Sequence, residues 1–433
     1  MTKKWLALAL TILGLAYTAC GGDDDSSSDS ASSKDKPADI RGQEIKVLMP
    51  YKVPAKLLHR FTAESGVKVE YNVAGWDSVA QKLVVAHQAG TYVADVTEFD
   101  WSFTGQFAGN DWYEPLGELL SKKTIDDLGA TNAAFTSKDK LYAACYANDF
   151  KMSIYNAKMF KQAGVSRFPA TLDDLRSTLD DLKAKHVADF PMSLAMGATE
   201  GSVAPWYLLT LAQGGALFDK DYKPLFAEPG SAGAKALQFE IDALKKGWVS
   251  PGSVTLDDGQ ALDRFKGGTT ALGLAVSPGN LPQANDPEQS AIAPNAKGAL
   301  VPGANGPGGT FGLQEGLGIP TTAKHKEAAA AFIEWWLRPD VQTQLYTTAG
   351  FLPCTQSGLD KLSESGKLQG GEVVREEFDH IKPLFPSGAP TWYSQFSSEA
   401  QGLLNAAFKG EISAQEALDR LADKANELAD SAG

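Results

Sequence analysis

Residues 141–165, LYAACYANDFKMSIYNAKMFKQAGV, decide how this chain folds. The first half of the stretch contains small, aromatic and β-branched residues, which favour an extended strand over a helix. From Asn156 onward, the apolar residues Met159, Phe160 and Ala163 have helical spacing, and Gly164 ends the pattern. We therefore predict a strand that leads directly into a helix.

Two polar residues, Asn148 and Asp149, interrupt the apolar part of that strand. A carboxylate that is buried without a partner costs free energy, so the Asp149 side chain needs one. A helix cap or an internal salt bridge would supply it locally. Alternatively, the chain crosses here from one lobe to another, and Asp149 faces a ligand between them. The residues of this stretch leave both interpretations open.

The chain before this stretch alternates between predicted strands and predicted helices. Residues 44–50 and 67–73 have the character of strands, and residues 55–65 and 77–90 have the spacing of amphipathic helices. A third strand, ADVTEF, spans residues 94–99. Strands that alternate with helices form parallel sheets through right-handed crossovers, so this order predicts an α/β lobe.

Aromatic residues stand at the end of each of these three strands. Ligands of open α/β sheets bind at the carboxyl ends of the strands, which here carry Tyr51, Trp76 and Trp101. Each ring alone could belong to the core, and Trp76 could cover the helix that follows it. Their coincidence at one edge favours a ligand site, to which Asp100 adds a carboxylate.

The chain after the opening stretch contains further α/β elements and then a helical end. The segment FPMSLAM at residues 190–196 predicts a strand, and Pro205 is predicted to begin a helix. Residues 278–312 are rich in Pro, Gly and Asn, which is typical of loops. Helices are predicted near residues 394–408 and 413–430.

Length, composition and charge exclude several classes of protein. A chain of 433 residues, 43% hydrophobic and 21% charged, is an ordinary soluble globular protein with two domains or lobes. The formal charge is −13, and Lys and Arg form no cluster, which argues against a nucleic-acid partner. Five His and three Cys have no zinc-like spacing, so we predict neither a metal nor a cofactor.

The amino terminus has the features of a secretory signal peptide over residues 1–19. Lys3 and Lys4 precede an apolar run at residues 5–15, which is too short to span a bilayer. Removal of this segment would change the formal charge from −13 to −15, because it contains two lysines and no acid.

A lone cysteine follows the predicted signal. The sequence YTACGG at residues 17–22 resembles the lipobox of bacterial lipoproteins, in which the cysteine, here Cys20, is lipidated and becomes the mature terminus. Tyr17 departs from the usual aliphatic residue at its position. Residues 20–42 are then predicted to be a flexible tether, since they are rich in Gly, Asp and Ser.

Two cysteines, Cys145 and Cys354, remain in the predicted mature chain. In an exported protein they could form a disulfide. Two small buried thiols explain them equally well, and the sequence leaves both possibilities open.

Segments spread over residues 44–430 resemble a known family, the extracellular solute-binding proteins of ABC importers, in the sugar-binding branch that includes the maltose-binding protein. No single segment is specific to this family, but the order of the segments behind a lipobox is specific to it. The segments are FTAESGVKVE, QAGTYVADV, FDWSFTGQFAGNDWYEPL, IYNAKMFKQAGV, FKGGTTAL, GLGIPTTAKHKEAAAAFIEWWLRPDVQ, GFLP and KGEISAQEAL.

The resemblance implies an α/β, two-lobed periplasmic-binding-protein-like fold of class II. The two lobes form a hinged clamp, and each is a mixed sheet flanked by helices. The chain would cross between the lobes near Asn148, Phe311 and Leu352, so that each lobe is discontinuous in sequence. The implied lobes are residues 43–147 plus 312–352 at the amino-terminal side and residues 148–311 plus 353–433 at the carboxyl-terminal side.

The resemblance also places a ligand site. The family's acidic position on the first crossing falls on Asp149, and its aromatic and polar segment after the third strand falls on Asp100 and Trp101. Stacking rings fall on Trp206 and Trp392. Together with the strand ends and the second crossing, the predicted ligand-binding residues are Tyr51, Trp76, Asp100, Trp101, Asn148, Asp149, Trp206, Glu315, Trp392 and Tyr393.

The implied function is capture of a carbohydrate, from a mono- to an oligosaccharide, by the substrate-binding lipoprotein of an ABC transporter. Aromatic rings stack on the C–H faces of sugars, and carboxylates pair with their hydroxyl groups. Closure around the solute would present it to a membrane permease. We expect a non-enzymatic monomer, anchored by lipid to the cell membrane and facing the extracellular or periplasmic side.

Other functions remain open on the sequence. The same fold could bind a peptide, a polyamine or a metal complex, and Lys52 and Lys151 leave an acidic or aminated sugar open. A carbohydrate-active enzyme would use a pair of acids, such as Glu98 and Glu315. A surface lipoprotein that acts as an adhesin or sensor would have a similar sequence. The family often has a Trp after FKGGTTAL, where this chain has Ser277, which leaves the size of the ligand undetermined.

Overall fold

A computed structural model of the chain describes residues 39–378, 380–382 and 384–432. The predicted signal peptide, Cys20 and the tether up to residue 38 lie outside the described residues. Within the described residues, no helix has the length and apolar character that crossing a membrane requires.

Strands and helices alternate along most of the described chain. The strands are β1 (Glu44–Met49), β2 (Lys68–Val73), β3 (Val96–Asp100), β4 (Thr136–Ser137), β5 (Lys140–Leu141), β6 (Ala143–Phe150), β7 (Met152–Asn156), β8 (Met192–Ser193), β9 (Leu272–Val276), β10 (Ala296–Ala299), β11 (Thr310–Gly318) and β12 (Ile381–Lys382). The helices are α1 (Ala55–Ser65), α2 (Trp76–Gln88), α3 (Lys122–Leu128), α4 (Ala157–Gln162), α5 (Leu172–Ala184), α6 (Glu200–Ala212), α7 (Ala232–Lys245), α8 (Asp258–Lys266), α9 (Asn280–Ala284), α10 (Lys326–Trp336), α11 (Pro339–Ala349), α12 (Gln356–Glu364), α13 (Gly371–Phe378), α14 (Tyr393–Lys409) and α15 (Ala414–Ala432).

The first five elements confirm the predicted α/β pattern. β1 pairs in parallel with both β2 and β3, with Val47 opposite Tyr71 on one side and Val96 on the other. α1 buries Leu57 and ends at Gly66, whose φ of 76° lies in the left-handed region that glycine adopts without strain. The carboxyl ends of the three strands therefore meet at one edge, as the sequence predicts.

The opening stretch passes from one sheet to another. The first sheet has the order β12-β11-β3-β1-β2, with β6 also paired to β11, and the second has the order β10-β7-β9-β8. β6 belongs to the first sheet and β7 to the second, and Lys151 lies between them. α4 follows β7 at once, with the Asn156 side chain accepting hydrogen bonds from the first backbone N–H groups of the helix.

Both sheets are mixed. In the first sheet β11 runs antiparallel to β3 and β6, whereas β1, β2 and β3 are parallel. In the second sheet β8 and β9 are parallel, and β7 is antiparallel to β9 and β10. This confirms the prediction of mixed sheets flanked by helices.

Three local predictions need correction. Pro205 lies inside α6 and not at its start, because the helix begins at Glu200, where Thr199 caps it through a capping box. The segment 190–196 contains only the two-residue strand β8. The stretch 278–312 contains α9, β10 and the start of β11, because backbone pairing of β10 with β7 overrides the low strand propensity of its sequence.

Glu240 is a buried acid in α7 whose carboxyl group has no partner among the described residues. It lies on the buried face of α7 with no exposed surface, and neither of its carboxylate oxygens has a hydrogen-bond partner in the structure. Burial raises the pKa of Glu240 well above its usual value, so the folded chain holds a neutral acid. The pKa of Glu240 is higher in the folded chain than in the unfolded chain. Its contribution to the free energy of unfolding is therefore present at low pH and is lost as pH rises.

We therefore expect Glu240→Met to stabilise the protein, most at high pH. Removal of the unsatisfied carboxyl should raise the free energy of unfolding by about 1–2 kcal/mol at pH 8 and by less at pH 5. Urea unfolding at the two pH values measures both effects. Glu240→Gln serves as the matched control, since it removes the titration and keeps the shape. An identical pH dependence in the parent and in both variants would contradict this account.

Candidate functional site

Two adjoining cavities lie between the two sheets. Each has a volume of ≈ 390 Å³, and they share a common wall. The first cavity extends toward β9 and the end of α11, and the second extends toward α6 and the start of α14. The shared wall residues are Tyr51, Asp149, Lys151, Gly201, Asp258 and Glu315.

Most of the predicted ligand-binding residues lie in the walls of these cavities. The structure brings together eight of the ten, although they come from distant parts of the chain. These eight are Tyr51, Trp76, Asp100, Trp101, Asn148, Asp149, Glu315 and Tyr393.

The end of β3 positions an acid and a ring in the second cavity. Asp100 is the last residue of β3, and its Oδ1 accepts a hydrogen bond from the Ser102 backbone N–H at 2.8 Å and another from the Ser102 hydroxyl. Burial raises the pKa of Asp100 to about 7. The Trp101 ring lies 5.0 Å from the ring of Tyr393, at the start of α14. The two sides of the cavity therefore touch through aromatic side chains.

Asp149 combines both roles that the sequence left open. Its Oδ2 lies 3.4 Å from Lys151 Nζ and accepts a hydrogen bond from the Ser277 hydroxyl at 2.7 Å. Lys151 Nζ also donates to Ser277 Oγ at 2.9 Å. Asp149 thus has an internal salt bridge and at the same time lines both cavities.

A chain of tyrosines and carboxyl groups forms the back of the shared wall. The Tyr51 hydroxyl donates to Glu315 Oε1 at 2.7 Å. The Tyr146 hydroxyl lies 2.9 Å from Glu315 Oε2 and 2.8 Å from Glu98 Oε2. Burial, followed by the charge of Asp149, raises the pKa of Glu315 to about 8. The site therefore holds acids that take up protons near neutral pH.

Sequence reasoning missed Tyr146 and Ser277. Strict strand alternation gave no signal for Tyr146, because it would put that side chain on the face of Asn148 and Gln314, whereas Tyr146 contacts Glu315 on the other face. An irregularity in the pairing of β6 with β11, between Glu315 and Gly316, lies next to this position. Ser277 stands where the family often has a Trp, and that departure placed a hydroxyl beside Asp149.

Trp206 is not a cavity residue, which corrects the prediction. α6 is apolar on nearly every side, as is typical of a fully buried helix. The Trp206 ring has no exposed surface, and its Nε1 donates to the Gly233 carbonyl at 2.9 Å. α6 instead presents Glu200 and Tyr207 to the second cavity.

Trp392 is also a core residue, and its neighbour takes the predicted place. The Trp392 ring is 5% exposed and packs against Phe218 and Phe385, at centroid distances of 5.9 and 6.3 Å. Tyr393 lines the second cavity, and its hydroxyl donates to Glu200 Oε1 at 2.7 Å. Trp392 thus faces the core at the start of α14 and does not line the cavities, which corrects the prediction for this residue, whereas the predicted Tyr393 does line a cavity.

A disulfide between Cys145 and Cys354 lies beside the cavities. Cys145 is in β6, and a backbone hydrogen bond of 2.9 Å joins Asn148 N–H to the Leu352 carbonyl nearby. The structure thus resolves the alternatives of a disulfide and two free thiols in favour of the disulfide. It joins two segments that both border the first cavity.

Comparisons with known proteins agree with this architecture. A family model described as bacterial extracellular solute-binding protein matches residues 43–343. The diacetylchitobiose binding protein DasA of Streptomyces coelicolor is 25% identical over 402 residues, covering 89% of this chain and 90% of that protein. A protein of Brucella abortus described as a binding protein is 25% identical over 361 residues, covering 82% of both chains.

Solved structures share the fold at low sequence identity. Maltose-bound MalE3 of T. maritima has a TM-score of 0.81 at 20% identity, covering 89% of this chain and 100% of that one. An ABC transporter solute-binding protein of Agrobacterium radiobacter in complex with ribitol has a TM-score of 0.79 at 20% identity, covering 91% and 100%. These likenesses confirm the predicted two-lobed, periplasmic-binding-protein-like fold.

Proposed function

The chain belongs to the family of bacterial extracellular solute-binding proteins, and on that premise we propose that it captures a carbohydrate between its two lobes and delivers it to the membrane permease of an ABC transporter. The names of its relatives support a carbohydrate, since they include proteins that bind diacetylchitobiose, maltose and ribitol. The observation that carries the proposal is the lining of the second cavity, where aromatic rings and carboxyl groups stand side by side.

The chemistry of that lining suits a polyhydroxylated ring. Trp101 and Tyr393 come from opposite sides of the cavity and offer flat surfaces to the C–H faces of a sugar. Asp100 and Asp149 offer acceptors to its hydroxyl groups, and hydrogen bonds to charged groups are the stronger ones. The cavities hold space for a small saccharide, within the usual range of ligand pockets.

The lobes proposed are residues 43–147 plus 312–352 and residues 148–311 plus 353–433. Strands β1 to β3 belong to the first sheet, and β9 belongs to the second. The facing ends of the two sheets border the cavities, which supports this division. A solute that contacts both lobes binds the closed form better than the open form and shifts the population toward closure. The permease then recognises the closed form, and no covalent chemistry takes place.

Attachment to the membrane is part of the same proposal. A signal peptide over residues 1–19 and lipidation of Cys20 would leave a monomer tethered to the outer face of the cell membrane. Residues 20–42 would give the binding lobes reach to the permease. The lipobox-like sequence and the family's extracellular character support this arrangement.

A thermal-shift screen over neutral, acidic and aminated mono- and disaccharides tests the proposed function. A ligand that binds only the folded state raises apparent stability by about 2.7 kcal/mol at a hundredfold excess over its Kd. We expect at least one carbohydrate to stabilise the protein and to be recovered unchanged after incubation. Stabilisation by none of them would contradict carbohydrate capture, and turnover of any would contradict pure binding.

We expect Trp101→Ala to weaken binding of the carbohydrate found in that screen by about tenfold, because the variant loses the ring that stacks on the sugar. Trp101→Phe keeps a ring and should lose about threefold or less. Isothermal titration calorimetry measures both affinities, and circular dichroism confirms that the fold is unchanged. Equal affinity of the parent and Trp101→Ala would exclude a stacking role for Trp101.

A further inference from the structure

We propose that the captured solute is an aminated sugar whose ammonium group binds at Glu315. This inference rests on the proposed function, because it names the class of carbohydrate that the same site takes. It follows from the charge of the cavity walls, from a shortage of hydrogen-bond donors around Glu315 and from the rings beside it.

The cavity walls carry many more acids than bases. Among the described residues that line the two cavities, the single ammonium group belongs to Lys151, which already contacts Asp149 and Ser277. The carboxyl groups in the same walls are Asp100, Asp149, Glu200, Asp257, Asp258 and Glu315. A neutral sugar would offset none of the negative charge that these acids carry when they are ionised.

The rest of the described chain offers few hydrogen-bond donors to Glu315 and Glu98. The hydroxyl of Tyr146 has one hydrogen, yet it lies within hydrogen-bond distance of both Glu315 Oε2 and Glu98 Oε2. Glu98 has no exposed surface, and its Oε1 has no hydrogen-bond partner in the structure. The other described groups of the protein therefore leave two oxygens of these acids without a donor, so that without a ligand only protons bound by the acids themselves can satisfy them.

The strand register concentrates these acids on one side of the first sheet. Glu315 in β11 stands directly opposite Asp100 in β3. Glu98 precedes Asp100 by two residues, so all three side chains lie on the same face. Glu315 is the member of the group that lines both cavities, and Glu98 lies behind it. A cation placed at Glu315 would donate to its carboxylate, which frees the Tyr146 hydroxyl for Glu98 Oε2, and would offset the charge of the ionised acids.

The acids of this group have raised pKa values. Burial raises the pKa of Glu315 to about 8, that of Asp100 to about 7, and that of Glu98 well above its usual value. The titratable or charged groups that face Glu315 are Tyr51, Glu98, Asp100, Tyr146, Asp149 and Lys151. An ammonium group that takes the place of a proton here would release that proton. Below about pH 7 the amine is fully protonated, and its binding should then weaken as pH falls further, because the carboxyl groups hold their protons.

The cation is organic and attached to a ring. Within the described residues, no group of three or more His, Cys, Asp or Glu side chains could hold a metal ion. Trp76, Trp101, Tyr207 and Tyr393 line the second cavity beside Glu315. Such rings stack on the faces of a sugar, and they also attract a cation within about 6 Å of the ring centroid. A linear polyamine would leave the stacking surfaces unused.

Matched triplets of saccharides test the proposal. Each triplet has the same backbone in a neutral, an N-acetylated and an aminated form, for example cellobiose, N,N′-diacetylchitobiose and the β-1,4-linked glucosamine disaccharide, with spermidine as the non-sugar cation. Titration calorimetry at pH 7.5 should show tenfold or tighter preference for the aminated member. At pH 6.5, where the amine is already an ammonium, the heat of its binding should differ between phosphate and imidazole buffers, because protons are released.

The variant Glu315→Gln removes the charge and keeps the shape. It should reduce the preference for the aminated over the N-acetylated member by about fivefold or more. Glu288→Gln makes the same change at an exposed residue outside the cavity walls and should leave the preference unchanged. The buffer comparison on the parent protein needs no variant, so the proposal stays testable even where Glu315→Gln folds poorly.

The outcomes separate this inference from the proposed function. Equal or tighter binding of a neutral or N-acetylated member would overturn the aminated sugar and leave carbohydrate capture intact. Binding of no saccharide at all would overturn carbohydrate capture and the inference with it. Tighter binding of spermidine than of every aminated sugar would overturn the requirement for a sugar ring.

Discussion

Replacing Gly105 with alanine should weaken carbohydrate binding by about thirtyfold, or about 2 kcal/mol. Gly105 follows β3 and lies against the backbone just before α14. A Cβ atom at this position would overlap the carbonyl oxygen of Ala389 and lie 2.9 Å from the carbonyl carbon of Pro390 and 3.0 Å from the Thr391 nitrogen. Backbone atoms cannot move aside as a flexible side chain can.

The effect on binding follows from where the two segments belong. Residues 104–108 are in the proposed amino-terminal lobe, and residues 389–391 are in the other one. A methyl group between them should hold the lobes apart. The variant would then neither close nor form the Trp101–Tyr393 contact. Since the solute binds the closed form, its apparent affinity falls with the population of that form.

Gly109→Ala provides a matched control for this prediction. Gly109 ends the same short segment with a φ of −62°, and a Cβ atom added to it would have no other atom within 4 Å. The affinity of this variant should equal that of the parent. Calorimetry measures affinity, and small-angle X-ray scattering with and without solute measures closure. Parental affinity and full compaction in Gly105→Ala would contradict the proposed contact between the lobes.

The double substitution of Cys145 and Cys354 by alanine should lower the free energy of unfolding by about 2–5 kcal/mol. The disulfide joins residues separated by 209 positions, so in the unfolded chain it closes a very long loop. Loss of a long loop closure restores much entropy to the unfolded state. Alanine avoids placing a polar hydroxyl at Cys145, which has no exposed surface.

Urea unfolding of the oxidised parent, the reduced parent and the double variant measures this contribution. The reduced parent and the double variant should unfold at the same urea concentration, below that of the oxidised parent. Carbohydrate affinity of the folded variant should stay within about threefold of the parent, because neither sulfur lines a cavity. Equal unfolding midpoints for all three samples would contradict a stabilising role of the disulfide.

The parts of the fold with regular patterns were predictable from the sequence. The period-two and helical patterns from β1 to β3 indicated the parallel order and the strand ends, and those ends placed Tyr51, Trp76 and Trp101 together. The polar pair in an apolar strand indicated a crossing near Asp149 as one of two interpretations, and the resemblance to the family favoured it. These features depend on local spacing, which a single sequence displays directly.

The rest of the site depends on contacts that local spacing does not determine. Trp206 and Trp392 are aromatic residues in or next to helices that border the second cavity. Packing around α6 and at the start of α14 directs their rings into the core instead. The hydrogen bonds of Tyr146 join strands that are far apart in sequence, and so does the disulfide. Pairings at such distances are determined by the tertiary fold and not by the segments themselves.

The disulfide also bears on how a chain of an extracellular family is exported. Thiols stay reduced in the cytosol, so the bond between Cys145 and Cys354 would be missing while the newly made chain is still inside the cell. There the chain would fold with less stability and spend more of its time unfolded, the form in which it can be threaded through a secretion channel. Oxidation outside the cytosol would then form the disulfide. The chain would gain this contribution to its free energy of unfolding only after export.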